Sequence, residues 1–388
     1  MSSHVYHTVS HAALDYRALV AHLSRPELWP STLHVRNQLL SPFGTRHFQQ
    51  QNHDVQVDED PWTTYLRHRP GAQVHAIGDI PRDVLRQPGG AGGATGAWAL
   101  VLLYEFKPSG LAMGGSSASD VQYDGAANMS SPRVTMWLST EASSPSPAED
   151  ALLRYIVLTH LPRAVADMGA APGGLMRICG SHAGIVTRIQ RWGSESGVDV
   201  QWNDVCVTYI RDENSETPSP PSQAARWIIG SLEREEDVKL VRDANTFGFP
   251  SWYIASRAHL SILLWDRQGD SAESETATRR YKGAAAGWSY AHEDFSVGSF
   301  YITPPYRRLG LGQLVLSIIE EKFVGAQTLA LEQVGLSALP GPFFLNTEEG
   351  NASARALFEK CGLRDVRRTI WAGIVVKVAS VTSSPSQD

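Results

Sequence analysis

The chain is short of cysteine, of net positive charge and of long apolar runs, and each shortage removes a class of protein. It has 3 cysteines, Cys179, Cys206 and Cys361, in 388 residues. An odd, sparse set at these spacings makes neither a disulfide framework nor a paired-cysteine metal site, and it points to a reducing compartment. The formal net charge of −6 argues against a general nucleic-acid binder, because phosphate backbones are met by basic surfaces. No apolar run is long enough to span a bilayer. The first residues, Met1 to His7, lack the basic start and apolar core of a leader. His34, His53, His68, His75, His160 and His182 are scattered without metal-ligand spacing. The expectation is a cytoplasmic protein with no metal, no membrane and no nucleic acid among its partners.

What is there is enough to build a core. The hydrophobic fraction is 42% and the charged fraction 19%, the balance of a globular chain, and the length suits two domains. In the first part, Ala12, Leu14, Leu19, Val20 and Leu23 fall at helical spacing. Leu33 to Leu40 alternates as a strand would, with Leu33, Val35, Asn37 and Leu39 on one side. Trp98 to Phe106 is a short, nearly all-apolar run that predicts a buried strand, and Arg133 to Thr140 predicts another. Glu149 to Leu161 predicts a helix with acidic residues in its first turn. Strands follow at 175–179, 184–192 and 198–211. Segments 49–60, 88–93 and 107–131 are polar or Gly-rich and predict loops. Residues 1–211 thus make an α/β domain without a chemical motif.

Residues 212–224 are polar and proline-rich, which marks a linker. Beyond them the pattern sharpens into a second domain, 225–378, followed by a polar tail, 379–388. Trp227 to Ile229 is a short strand. Glu235 to Phe247 is a helix with three acidic residues at its start, and Pro250 and Ser251 begin another. Leu260 to Trp265 is a strand, and the charged stretch 266–282 is an insertion. Strands at 284–291 and 295–302 are joined by His292, Glu293 and Asp294 as a hairpin. Then comes Thr303-Pro304-Pro305-Tyr306-Arg307-Arg308-Leu309-Gly310-Leu311-Gly312, followed by apolar residues at 311, 314, 315, 318, 319 and 323. Strand, tight basic turn and helix N-terminus offer free backbone N–H groups and a positive dipole end to an anion. Gly310 and Gly312 let it approach the main chain. A strand at Phe343 to Leu345 and a helix capped by Asn351 and stopped by Gly362 follow. Alternation from Ile370 to Val378 ends the domain.

Two of these stretches together resemble the GCN5-related N-acetyltransferase (GNAT) superfamily. Its Arg/Gln-x-x-Gly-x-Gly/Ala is met by Arg307, Gly310 and Gly312 after Pro304-Pro305-Tyr306. Its Asn-x-x-Ala-x-x-Leu-Tyr-x-Lys-x-Gly-Phe is met by Asn351, Ala354, Leu357, Phe358, Lys360, Gly362 and Leu363. The run from Glu235 to Trp265, with Gly287-Trp288, is similar to the glycine N-acyltransferase-like branch, in which a degenerate GNAT-like half precedes the catalytic one. The resemblance implies an α/β (α+β mixed-sheet) fold, with a C-terminal GNAT domain after an N-terminal α/β domain that is itself such a half.

It also implies acetyl-CoA, or another acyl-CoA, as donor, and no metal. Pyrophosphate would lie on Leu309, Gly310, Leu311, Gly312 and Gln313 beside Arg307 and Arg308. The pantetheine arm would run along Phe300, Tyr301 and Ile302 as an added strand, with Asn351, Phe358 and Lys360 close by. The expected activity is transfer of acetyl to a small-molecule primary amine by direct attack. The alternatives are a GNAT-fold acyl-CoA-binding regulator and an acetyltransferase acting on a protein amine. The catalytic candidates are Glu293, Asp294 and Ser296, with His292, Glu348 and Glu349 as further bases. The branch has Glu where Ser296 stands, and serine is no base unaided. Many relatives have a thiolate acid, Tyr, where Phe358 stands.

Overall fold

The computed structural model describes residues 6–29, 31–44, 60–86, 96–105, 131–139, 146–169, 173–211, 226–245, 249–267, 285–337 and 340–377. The expected loops at 49–60, 88–93 and 107–131, the linker, the 266–282 insertion and the tail lie wholly or almost wholly outside these residues.

Twelve strands form one mixed sheet in the order β1-β2-β3-β4-β5-β12-β6-β11-β10-β9-β8-β7. In the first half the elements are β1 (Thr8–Ser10), α1 (Tyr16–Leu23), α2 (Leu33–Leu40), α3 (Pro61–His68), β2 (Gln73–Gly78), β3 (Trp98–Tyr104), β4 (Arg133–Leu138), α4 (Pro147–Tyr155), α5 (Leu161–Asp167), β5 (Leu175–His182), α6 (Ala183–Ser196) and β6 (Val198–Arg211). In the second they are β7 (Trp227–Gly230), α7 (Glu235–Ala244), α8 (Ser251–Ser256), β8 (Ser261–Asp266), β9 (Ala285–Ala291), β10 (Val297–Ile302), α9 (Leu311–Gln333), β11 (Phe344–Glu348), α10 (Ala352–Lys360) and β12 (Leu363–Val376).

The strand order reads the same from both ends once β1 to β6 are matched with β7 to β12. The two halves therefore repeat one arrangement, and they exchange their last strands. β6 does not return beside β5 but pairs with β11, Ile210 opposite Phe344 and Cys206 opposite Glu348. β12 returns to β5, Thr369 opposite His182 and Val375 opposite Leu175. The two exchanged strands, 14 residues each, pair antiparallel along their whole length, from Leu363–Arg211 to Val376–Val198. The sheet thus runs unbroken through both halves.

Two expected strands are helices. Leu33 to Leu40 is α2, and all eight of its residues are buried. Its alternation did not separate a wet face from a dry one. The polar members are inside too, held by side chains from elsewhere: Arg36 Nη1 donates to Gln327 Oε1 at 3.0 Å, and His34 Nδ1 lies 2.5 Å from Asp294 Oδ2. Residues 184–192 lie in α6. Their β-branched residues suggested a strand, but Ile185, Val186, Ile189 and Trp192 bury one helical stripe. His182 caps that helix by accepting from the Gly184 N–H, and Gly197 ends it in the left-handed region at φ +75°.

The core has three parts. α1, α2 and α3 share a cluster with α9 across the halves, α4 to α6 cover the rest of the first half, and α7 and α8 cover β8 and β9. Arg17 Nε donates to the Val334 carbonyl (2.7 Å), and Arg367 Nη1 to that of Ser31 (2.8 Å), closing the same seam.

Candidate acyl-donor cleft and the charged cluster at its base

β10 and β11 start side by side and then part. They share one paired position, Val297 with Leu345. β11 turns to β6, while β10 keeps to β9 through Tyr301–Trp288 and Ile302–Gly287 after a break in register beyond Gly298. Ser299 sits in that break at φ +48°, with its Oγ accepting from Asn245 Nδ2 at 2.7 Å. The β10 edge from Ser299 to Ile302 is thus unpaired on its β11 side, the geometry an extended chain can join. Phe300 faces the ring of Phe358 edge-on at 6.3 Å, and Phe358 meets Tyr209 of the exchanged β6 at 5.5 Å.

The end of β10 leads into the N-terminus of α9. Gly310 is its N-cap at φ +80°, with no side-chain cap and no acidic residue in the first turn. A 23-residue helix therefore begins with no side chain on its first donors and no acid at its dipole, although the Gln313 N–H already reaches the Gly310 carbonyl at 3.1 Å. Arg308 is also left-handed at φ +65°. Arg307 Nε donates to the Ile302 carbonyl at 3.0 Å, and its guanidinium lies over Tyr301, which stacks on Trp288. Gly312 has a packing reason of its own, because a Cβ there would come within 2.9 Å of the Leu357 side chain. That contact brings α10 against the first turn of α9. Asn351 Oδ1 accepts from the Ala354 N–H at 3.1 Å as the α10 N-cap, Lys360 is exposed in the last turn, and Gln313 is half-buried.

The equivalent place in the first half is closed. β4 and β5 also part after two paired positions, Arg133–Arg177 and Val134–Ile178. There the buried Ser181 hydroxyl accepts from the Met136 N–H (3.2 Å) and donates to its carbonyl (3.1 Å), which staples the strands together. The helix that follows, α4, has its N-terminus filled by a capping box of Ser146 and Glu149.

At the base of the open cleft the three catalytic candidates take different positions. Ser296 donates its N–H (3.0 Å) and Oγ (2.6 Å) to Asp294 Oδ1, and His34 holds Oδ2. Both Asp294 oxygens are thus engaged. Burial raises its carboxyl pKa, but the His34 and Ser296 contacts outweigh that and hold it well below the carboxylate range. The carboxylate sits between serine and histidine and so joins the two halves. Glu293 lies 3.4 Å from Arg69 Nη1. Burial raises it as well, yet Arg69, Arg257 and Arg133 bring it below its ordinary value. Glu348 and Glu349 lie exposed at the far end of β11.

His292 occupies a different niche. Its Nδ1 is 2.9 Å from the Tyr253 hydroxyl, and Phe249 lies beside the ring at 5.1 Å. Its Nε2 lies against β10: a Cβ on Gly298 would fall 1.9 Å from it. Burial draws its pKa down to about 4, so the ring is neutral near pH 7. Tyr253, Arg257 and Arg69 escaped notice in the sequence, and His34 stood there only as one of the scattered histidines, because the four lie on separate elements with no shared spacing. Among the described residues no group of three or more His, Cys, Asp or Glu gathers as a metal site, and no helix is long and apolar enough to cross a membrane.

Solved structures are similar to this chain to different degrees. One, a Drosophila protein, is 14% identical, with 94% of this chain and 97% of that one covered at a TM-score of 0.52. The two have the same fold. A tandem GNAT protein from the clavulanic acid biosynthesis pathway is 10% identical, with coverage of 97% and 100% and a TM-score of 0.43. A putative acetyltransferase from Pyrococcus horikoshii is 9% identical, with coverage of 96% and 92% and a TM-score of 0.40. The chain resembles the GNAT superfamily. The two GNAT-like motifs fall at the α9 N-terminus, Arg307 to Gly312, and along α10, Asn351 to Gly362. No protein-family model and no curated protein matches the sequence.

Proposed function

We propose that the chain is an acyl-CoA-dependent N-acyltransferase that moves acetyl from acetyl-CoA to a small-molecule primary amine by direct attack. The observation that carries this is the contrast between two equivalent clefts. The first-half cleft is stapled by Ser181 and its helix is capped by its own side chains. The second-half cleft has an unpaired β10 edge and an α9 N-terminus with no cap and no acidic residue. An anion with an amide-bearing tail suits that pair of features, the anion on the N–H groups of Leu309 to Gln313 and the tail beside Phe300 to Ile302. Arg307 and Arg308 add charge there. The first half acts as a companion without a donor site of its own.

For the chemistry, a backbone N–H in the Ser299–Phe300 break polarises the thioester carbonyl. His292 takes the amine proton, directly or through a water, in the tautomer that gives Nδ1–H to Tyr253. Phe358 has no proton to give, and a thiolate, whose conjugate acid titrates near 8.5, leaves without help.

One observation favours a second possibility, a GNAT-fold binder without turnover: Ser296 and Asp294 are bound to one another and Phe358 cannot act as an acid. Thiol release from acetyl-CoA over an amine panel separates the two. Amine-dependent thiol is expected, and tight acetyl-CoA binding with none would leave the binder. Gly310→Glu puts a Cβ and a negative charge at the anion site and is expected to abolish acetyl-CoA binding. Retained affinity would displace the donor from this helix.

A further inference from the structure

Asn346 stands one residue past the point where β10 and β11 part. Val297 and Leu345 pair at that point, and successive side chains of a strand face opposite ways. Gly298 and Asn346 are therefore neighbours on one face of the sheet. Tyr290, opposite Gly298 on β9, belongs to the cluster under α7 and α8, so this is the face those helices cover. It is also the face of His292, because the Cβ that Gly298 lacks would fall 1.9 Å from His292 Nε2. α10 lies on the other face, where Phe358 meets Tyr209. Thr208, next to Tyr209 on β6 and opposite Asn346, points away from α10 by the same alternation.

The amide of Asn346 is held at one end only. Thr208 Oγ1 donates to Asn346 Oδ1 at 2.7 Å. A hydroxyl has one proton to give, so in the contact between the buried Thr208 and Thr369 hydroxyls it is Thr369 that donates. This relay crosses β12, β6 and β11 and fixes which end of the amide is oxygen. Nδ2 is buried, and among the described residues it has no hydrogen-bond partner. A buried donor without an acceptor is unfavourable, and this one lies beside the donor cleft. In the closed first-half cleft the matching place, one residue past the last pair Val134–Ile178, holds Cys179. Its Sγ reaches the Arg177 carbonyl at 3.6 Å, and it offers no amide.

We propose that Asn346 is a side-chain member of the oxyanion site, its Nδ2 donating to the thioester oxygen of the acyl donor from across the fork that the β10 backbone donor borders. This rests on the acyltransferase reading above. With its oxygen drawn toward β6, the amide has its nitrogen left for the side on which β10 has parted. Adjacent strands stand about 5 Å apart, so an atom lodged where they part is in reach of both. An amide nitrogen only donates. Of the atoms that acyl transfer brings to the fork, the amine gives protons, the acyl methyl gives nothing, and the thioester sulfur is a weak acceptor. The carbonyl oxygen is the strong acceptor, and it gains charge as the amine attacks. His292 takes the amine proton, the nitrogen–carbon bond forms, and the carbonyl π pair moves to oxygen. Its return breaks the carbon–sulfur bond, and the thiolate leaves with that pair. A donor fixed beforehand by Thr208 and Thr369 needs no reorganisation as the charge appears. The exchanged strands thereby act on the chemistry: β6 and β12, one from each half, orient the amide.

The test uses the full chain and acetyl-CoA with an isotope label at the thioester carbonyl carbon. Isotope-edited infrared spectra of the bound donor read that bond directly. Its stretch is expected at higher wavenumber in Asn346→Ala than in the wild type, because one donor has gone. In turnover with an amine that the wild type accepts, Asn346→Ala is expected to lose about 100-fold in kcat, with the Kd of free CoA unchanged. Thr208→Val keeps the amide but frees it to turn, and is expected to lose about 10-fold. Asn346→Asp keeps the shape and an oxygen toward Thr208, and it carries the same comparison if Asn346→Ala does not fold. An unchanged carbonyl stretch in these Asn346 variants overturns the assignment even where kcat falls, since the amide then acts on another atom or only holds the strands. A kcat within about threefold of the wild type overturns it as well. In both cases thiol release by the wild type leaves the acyltransferase standing. If the chain binds acetyl-CoA without turnover, the spectrum decides. No acetyl-CoA binding removes the donor site and this role with it.

Discussion

Gly298 is the residue on which the proposed catalytic arrangement turns. Its missing side chain leaves room for His292 Nε2 against β10, and an added Cβ would lie 1.9 Å from that atom. Gly298→Ala must therefore push the imidazole away. It is expected to lower stability by about 1–3 kcal/mol and to cut acyl transfer by about 100-fold or more, with acetyl-CoA affinity kept. Urea melts and thiol-release rates check this. In a His292→Ala background the same change should cost far less stability, since the two positions are in contact. Glu293 and Asp294 were legible in the sequence as charged hairpin residues. Their acidity was not, because it comes from His34 and Arg69, more than 200 residues away in the chain.

At the scale of elements, the starts of two equivalent helices decide which cleft is open. α4 carries Pro147, Glu149 and Asp150 behind Ser146, whereas α9 carries Leu311, Gly312 and Gln313 behind Gly310. That difference is written in the sequence and needs no coordinates. The Asn351 helix has a double duty that a pair of variants can divide. Asn351→Ala removes the cap and is expected to cost about 1 kcal/mol. Asn351→Ser keeps a capping oxygen and should recover that stability, but not the acetyl-CoA affinity if the amide also bonds the arm. Melting midpoints and acetyl-CoA Kd, measured on both, separate the roles.

For the whole molecule, the exchange of β6 and β12 ties folding of the halves together. Each lacks its last strand without the other, and the exposed edges would be β5 and β11. Residues 1–211 and 212–388 expressed apart are expected to be aggregated or unfolded, and mixing them during refolding should restore acetyl-CoA binding. The intact chain should unfold in one transition. Its pH dependence follows from buried or half-buried histidines, of which His11, His22 and His68 are lowered and four more are lowered furthest. Burial draws His75, His160, His182 and His292 from near 6.5 down to about 4. Between those values the unfolded chain binds more protons, so stability is full above about pH 6.5 and falls as pH drops toward 4. Asp294 adds in the same direction, because its depressed carboxyl loses its stabilising effect once protonated. Urea midpoints at pH 7, 5.5 and 4.5 should fall in that order.

The sequence by itself determined the residues proposed for the donor side. Its signals are local: a strand running into Pro-Pro-Tyr-Arg-Arg-Leu-Gly-Leu-Gly, and a capped helix ended by Gly362. Backbone donors and glycine conformations are set by neighbours in the chain, so contiguous residues can announce them. Even the absences, a tyrosine at 358 and an acid at 296, were readable there. Tertiary structure alone decided the rest. The fully buried α2 passed for a strand because its polar residues find partners distant in the chain, Ser24 and Tyr104 in the first half and Asp294 and Gln327 in the second. The exchange of β6 and β12 left no mark in either strand's composition, since an antiparallel ladder is indifferent to which half supplies the neighbour. The union of Arg69, Arg257, Glu293 and His292 depends on side chains that converge only when two repeated halves share one sheet.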